Sequence, residues 1–115
     1  MSATISLIKG DGIGVDVSEA AMQLVQQAVA KVGIVPLKIQ EIRAGAAYYI
    51  KTGLDIEPNG ERLAGEADAI FLGAIGLPEI RYDDGTEISP HLRLRERYHL
   101  YAGMRPVKAL SLIHI

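Results

Sequence analysis

Apolar and polar positions along this chain change their period several times, and each change marks an element. Thr4 to Lys9 is a short run of β-branched and apolar residues that ends at Gly10-Asp11-Gly12. That is the pattern of a buried strand feeding a glycine turn. From Val15 to Val32, Val17, Ala20, Ala21, Leu24, Val25, Ala28 and Val32 recur at helical spacing. Gln23, Gln26, Gln27 and Lys31 lie off that stripe, which is therefore expected to face the core. Gly33 ends the helix. Pro36 to Ile42 alternates, with Leu37, Ile39 and Ile42 broken by Lys38, Gln40 and Glu41, and reads as a strand near an edge.

Ala44 to Lys51 reads as a short helix stopped by Thr52-Gly53. Pro58 is expected to open another that runs to about Ala67, since proline suits a first helical turn. Ala69-Ile70-Phe71-Leu72 is a fully apolar strand closed by Gly73. Gly76, Pro78, Asp83, Asp84 and Gly85 then break the pattern, and Asp83-Asp84-Gly85 is a turn. Ser89-Pro90 supplies a cap and a first-turn proline for a helix to about Tyr98. Leu100 to Val107 is expected to be extended. The order β-α-β-α-α-β-loop-α-β implies an α/β layered fold with a largely parallel sheet. There is no internal repeat and no low-complexity linker.

Composition narrows the field. At 115 residues the chain is at most one domain. Nearly half the residues are apolar, yet only Phe71 and five tyrosines are aromatic, so the core rests on Ala, Val, Ile and Leu. A net charge of −2 and a pI near 5.9 give no support for nucleic-acid binding. Arg93, Arg95 and Arg97 cluster, but at i, i+2 spacing on a helix they point in different directions. The absence of cysteine excludes disulfides, thiolate zinc sites and a cysteine nucleophile. Met1-Ser2-Ala3-Thr4 has no secretory-signal pattern, and no apolar run reaches the length of a membrane span. A cytoplasmic location with no membrane partner is the expectation.

Three places carry candidate chemistry. Gly10-Asp11-Gly12-Ile13-Gly14 lies between a strand and a helix, where glycines admit a ligand to backbone amides. It lacks the spacing of the dinucleotide fingerprint, so the fold is not expected to be a Rossmann domain. A tight turn also explains the glycines, and Asp11 and Asp16 then favour the helix start through its dipole. Gly73-Ala74-Ile75-Gly76-Leu77-Pro78 is a second glycine loop, again beyond the carboxyl end of a strand, where ligands bind in open parallel sheets. The third place holds Arg95 and Arg105. Two guanidinium groups on separate elements can each grip a carboxylate with two hydrogen bonds, and so clamp a small dicarboxylic acid. Arg105 sits in a mostly apolar extended run, where an unpartnered charge would be costly. No His, Asp and Glu set has metal-ligand spacing.

Ile5-Ser6-Leu7-Ile8-Lys9-Gly10-Asp11-Gly12-Ile13-Gly14 resembles the opening of the β-decarboxylating dehydrogenases, the isocitrate and 3-isopropylmalate dehydrogenase family. Leu72 to Pro78 is similar to that family's second glycine loop. Leu94-Arg95 and Leu100-Tyr101-Ala102-Gly103-Met104-Arg105-Pro106 are similar to its substrate-arginine segment. The resemblance implies an NAD-linked oxidation of a 2-hydroxy acid with loss of a carboxylate, with NADP the less favoured cofactor, assisted by Mg²⁺ or Mn²⁺ in the full-length enzyme, itself a homodimer. It implies that Arg95 and Arg105 bind substrate carboxylates. Ile13 would lie against the nicotinamide, and Gly73 and Ala74 would border the cofactor. By the same resemblance His91 and Leu92 would occupy the position that reads the substrate's side group, and a polar His91 shifts the expectation towards a tartrate- or malate-like acid.

Family members are considerably longer than this chain. The resemblance therefore places 1–103 in the first part of an incomplete first domain of the isopropylmalate dehydrogenase-like fold, and 104–110 at the start of the crossing into a second. Ser111 to Ile115 departs from the family pattern and reads as a non-native tail. Catalytic acid/base and metal residues have no counterpart here, so the chain alone is expected to be inactive. Two alternatives stand beside this reading: a small non-catalytic anion-binding module, and a truncated product without function.

Overall fold

The computed structural model describes residues 2–109; the expected tail at 111–115 lies outside them. Three parallel strands, β1 (Thr4–Gly10), β2 (Lys38–Glu41) and β3 (Ala69–Ala74), form a sheet in the order β2-β1-β3. Pairing runs Thr4 with Lys38 to Leu7 with Glu41 on one side, and Ile5 with Ala69 to Gly10 with Ala74 on the other. β1 is the central strand and carries the most buried residues, Ser6, Leu7 and Ile8. β2 is a short, polar strand at one edge, as its alternation predicts.

Strand alternation divides the structure into layers. Lys9 and Gly73 face helix α1 (Ile13–Val32): Lys9 pairs with Glu19 of α1 at 3.3 Å, and Gly73 lies over Ser18. Ser6 and Ile8 face the other way. The Ser6 hydroxyl donates to the Leu63 carbonyl in α3 (Gly60–Glu66), and Ile8 joins Ala64 of α3 and Leu94 of α4 (Pro90–Arg97) in one buried cluster with Ile42, Ala44 and Ile56. A further short helix, α2 (Ala46–Thr52), leaves the end of β2 and returns through an antiparallel bridge between Ala44 and Ile56.

The face of α1 that meets the sheet differs from the one its apolar stripe predicts. Gly14, Ser18 and Met22 are the buried residues, with Val15, Ala21, Val25 and Val29 partly buried beside them. Val17 and Leu24 are 48% and 68% exposed, and Val32 is exposed as well. Over its first turns the helix comes so close to β1 and β3 that Gly14 and Ser18 make the contact, so hydrophobicity is a poor guide to its inner side.

Of three further details, two depart from expectation, while the turn at Asp83-Asp84-Gly85 lies where the sequence puts it. Pro58 does not start α3. It is the second residue of a turn closed by Gly60 N–H donating to Glu57 O at 2.8 Å, with Asn59 at φ 65°. Proline followed by a positive φ is the type II pattern. The loop after β3 contains a small hairpin, in which Arg81 bridges Glu87 around a turn at Asp83-Asp84-Gly85. Leu100 to Ala109 forms no strand and is exposed throughout.

Candidate active site

The two glycine loops meet at the carboxyl end of the sheet. Asp11 N–H donates to the Ala74 carbonyl at 2.7 Å, so the turn after β1 abuts the end of β3. A Cβ on Gly14 would collide with the Lys9 carbonyl and the Ala74 backbone. One on Gly73 would strike the Lys9 carbonyl and the Ser18 hydroxyl, and one on Gly10 the Ala74 carbonyl. These glycines therefore exist for contact between backbones, the tight-turn reading of the motif. Gly12 and Gly76, by contrast, have nothing near the missing side chain and stand open to solvent. Ile13 is 69% exposed and Ala74 is exposed, so both present surface beside the junction, while Gly73 offers only backbone.

Asp11 departs from its expected place at the start of α1. Its side chain is turned away from that helix and is buried, at 4% exposure. One carboxylate oxygen accepts from Ala46 N–H at 2.7 Å and Gly76 N–H at 2.8 Å; the other accepts from Ala47 N–H at 2.9 Å. It thus caps α2, whose own N-cap, Gly45, has no side chain to do so. Asp16 remains in the first turn of α1 as expected.

α4 is fixed from one side and open on the other. Arg93 forks onto both oxygens of Asp55 at 2.8 and 2.9 Å and also reaches Glu61. Arg97, one turn on, meets the other Glu61 oxygen at 2.6 Å. Tyr82 O–H donates to Asp55, and Ser89 N–H, at the start of the helix, donates to the Tyr82 oxygen. Hydrogen bonds from Arg93 hold the carboxyls of Asp55 and Glu61 below their ordinary range. With Arg93 and Arg97 on this side, Arg95 takes another, as i, i+2 spacing requires.

His91 and Arg95, one turn apart, open onto a cleft of about 240 Å³ lined also by Ile70, Leu72, Leu94, Leu100 and Ala102. Burial, and then the neighbouring Arg95 charge, push the His91 imidazole below its ordinary value of 6.5. Its Nδ1 is buried without a hydrogen-bond partner. The helix ends in a Schellman motif: Leu100 N–H donates to Arg95 O and His99 N–H to Glu96 O, with His99 at φ 48°. That turn brings Leu100 to the wall of the same cleft as Leu94, and Gly103 beside Arg95.

Of the candidate residues, the structure brings His91 and Arg95 into one cleft and Ile13, Gly73 and Ala74 to one junction. Leu92 does not line the cleft and is 46% exposed. Arg105 is exposed, as are Met104 and Val107 on either side. The desolvation argument that singled it out therefore does not apply, because the run around it is not buried. Among the described residues no three His, Asp or Glu side chains come together to hold a metal, so no step is assigned to one here. The network of Asp11 and the ion pairs of Asp55, Glu61 and Arg93 escaped the sequence reading. Each joins residues more than 30 positions apart and leaves no local pattern.

Comparison with known proteins agrees with this geometry. The family model described as isocitrate/isopropylmalate dehydrogenase matches residues 4–114. A 3-isopropylmalate dehydrogenase of Symbiobacterium thermophilum is 36% identical over 107 residues, covering 90% of this chain and 28% of the relative. A protein of Agrobacterium vitis named "Probable tartrate dehydrogenase/decarboxylase TtuC" is 31% identical over 106 residues, 92% of this chain and 29% of its own length. The crystal structure of a β-decarboxylating dehydrogenase from Thermococcus kodakarensis in its apo form superposes with a TM-score of 0.67 at 26% identity, over 88% of this chain and 28% of that one. The chain thus spans less than a third of the length of these relatives, and its fold is the N-terminal part of theirs. A parallel sheet with paired glycine loops, an arginine-bearing α4 and these matches together show that the chain belongs to the isocitrate/isopropylmalate dehydrogenase family.

Proposed function

We propose that residues 1–103 are the first part of a metal-dependent, NAD-linked dehydrogenase domain that oxidises and decarboxylates a small 2-hydroxy dicarboxylic acid, with 104–110 leading towards a second domain. The observation that carries the reading is the cleft beside β3. His91 and Arg95 open onto it together, next to Leu72 and close to the carboxyl end of the strand, where ligands sit in open parallel sheets. Arg95 supplies a planar fork for one carboxylate, and Arg105 is proposed to grip the second. His91 reads the substrate's side group, with Leu92 at its flank, and favours a hydroxylated acid of the tartrate or malate type over isopropylmalate. Ile13 and Ala74, with the backbone of Gly73, border the nicotinamide end of NAD, which is preferred to NADP. A divalent ion, Mg²⁺ or Mn²⁺, would be held by groups other than those described, and would supply Lewis-acid chemistry to the complete enzyme. The complete enzyme is proposed to be a cytoplasmic homodimer.

The test is a titration of the isotopically labelled chain with tartrate, D-malate and 3-isopropylmalate, following the Arg95 guanidinium and His91 ring signals by NMR. Both sets of signals are expected to move, most with tartrate or malate. Arg95→Lys keeps the charge but loses the fork, and should weaken binding roughly ten- to a hundredfold; Arg105→Lys should act alike. Signals that stay still, or an affinity unchanged by both substitutions, would show that the clamp is misassigned.

A further inference from the structure

The glycine loop after β1 carries one acidic side chain that points away from the open face where the cofactor is proposed to lie. We infer that Asp11 is a positioning residue: its carboxylate locks α2 and the β3 glycine loop to the β1–α1 turn, and so sets the spacing of Ile13 and Ala74 rather than touching a ligand itself.

The geometry supports this in three ways. First, the carboxylate is committed to the main chain. Its three close partners are backbone N–H groups of Ala46, Ala47 and Gly76, at 2.7 to 2.9 Å, and the residue is 4% exposed. Three of about four acceptor positions are engaged in a buried group, which separates it from an open cofactor or metal ligand. Second, the donors come from two segments that share no other element, the start of α2 and the loop after β3. The one carboxylate therefore joins parts of the chain 35 to 65 residues away, and Asp11 N–H closes the ring onto Ala74 O at 2.7 Å. Third, the surroundings are cut to admit it. A Cβ on Gly45, at φ 126°, would stand 2.7 Å from both carboxylate oxygens, so any other residue there would expel the group. Gly76 has no neighbour at the place of its missing side chain, and the bond from its N–H ties this part of the loop to Asp11.

Because the functional half of this inference rests on the cofactor reading above, the experiment separates the two. In the full chain, hydrogen exchange is measured at Ala46, Ala47 and Gly76 in wild type, Asp11→Asn and the control Asp16→Asn. Asparagine keeps one acceptor oxygen and turns an NH₂ towards an N–H. Exchange at those three amides is expected to quicken roughly ten- to a hundredfold in Asp11→Asn, while Leu7 and Ile8 in β1 keep their protection and Asp16→Asn changes nothing. NAD is then added to each protein. In wild type and Asp16→Asn it should move the Ile13 and Ala74 signals, with several-fold weaker affinity in Asp11→Asn. If NAD moves no signal in wild type, the cofactor reading fails, and the latch is judged by exchange alone. Should Asp11→Asn not fold, through-bond couplings from the three amide nitrogens to the Asp11 carboxylate carbon are sought in wild type. All three couplings support the latch. A missing coupling at Gly76, or unchanged exchange in folded Asp11→Asn, overturns it.

Discussion

At the β1–α1–β3 junction the chain is held by main-chain atoms: Gly10, Gly14 and Gly73 bring backbones into contact, and one buried carboxylate gathers three amides. Along α4 the holding groups are side chains that water reaches, with Arg93 and Arg97 about half exposed where they meet Asp55 and Glu61. The proposed cofactor surface thus rests on atoms that have no freedom to adjust, and the proposed substrate surface on long side chains that do. Glycine substitutions at the first should act through packing and be nearly independent of salt and pH. Those at the second should act through charge.

The largest expected effect sets these apart within a single loop. Gly14→Ala places a methyl against the Lys9 carbonyl and the Ala74 backbone, neither of which can retreat without breaking the β1–β3 pairing. Overpacking costs typically 1–3 kcal/mol, and a rigid backbone wall puts this case at about 3 kcal/mol or more. Gly12→Ala, two residues earlier, meets no neighbour and incurs only backbone strain, at φ 53° and ψ −122°, about 1–3 kcal/mol. Urea unfolding followed by circular dichroism measures both. Equal losses would mean that the close approach at Gly14 is not what holds the junction.

How much of this could be read beforehand follows the same division. Strand and helix order, the breaks at Gly33 and Gly53, and the pairing of His91 with Arg95 one turn apart are local properties of sequence, and they appear where the periodicity puts them. The inner face of α1 is not legible in the pattern because much of its contact is made by Gly14 and Ser18, small residues that carry no hydrophobic signal. The role of Asp11 is equally hidden, because its partners, Ala46 and Gly76, are identified only by folding. The strand expected at Leu100 to Val107 shows the converse error. An apolar extended pattern needs a neighbouring strand, and among the described residues none lies beside it.

The α4 side of the comparison gives an intermediate, charge-linked effect. Asp55 and Glu61 have folded pKa values below their ordinary 3.8 and 4.5, chiefly through hydrogen bonds from Arg93. In acid the unfolded chain takes up these protons first. The stability from the pairing is therefore complete above about pH 5, begins to fall near the unfolded values, and is lost as pH drops through the lower folded values. Arg93→Ala should cost about 1 kcal/mol at pH 7, a modest figure because the guanidinium is 44% exposed. It should also flatten the acid limb of the stability curve. The check is urea midpoints at pH 7, 4 and 3 in both proteins. An acid limb equally steep in the variant would assign that pH dependence to other carboxylates.

The smallest effect sharpens the comparison from the other direction, by moving α4 towards the rule that governs the junction. His99 occupies the C′ position of the Schellman motif at φ 48°, where glycine is the usual residue. A left-handed conformation costs an ordinary residue roughly 1–2 kcal/mol, and histidine tolerates it better than most. Glycine removes that cost but returns about 0.5–1 kcal/mol through the greater freedom of the unfolded chain. The balance predicts that His99→Gly stabilises the chain by about 0.5 kcal/mol, a rise of roughly 2–4 °C in Tm for a domain of this size. Because Leu100 N–H still reaches Arg95 O, the cleft wall should keep its shape and the His91 titration should not move. A fall in Tm would mean that the exposed His99 side chain holds α4 in a way its backbone conformation does not reveal. A shifted His91 titration with higher Tm would show instead that the helix end, and not the Arg93 pairs alone, sets how His91 faces Arg95.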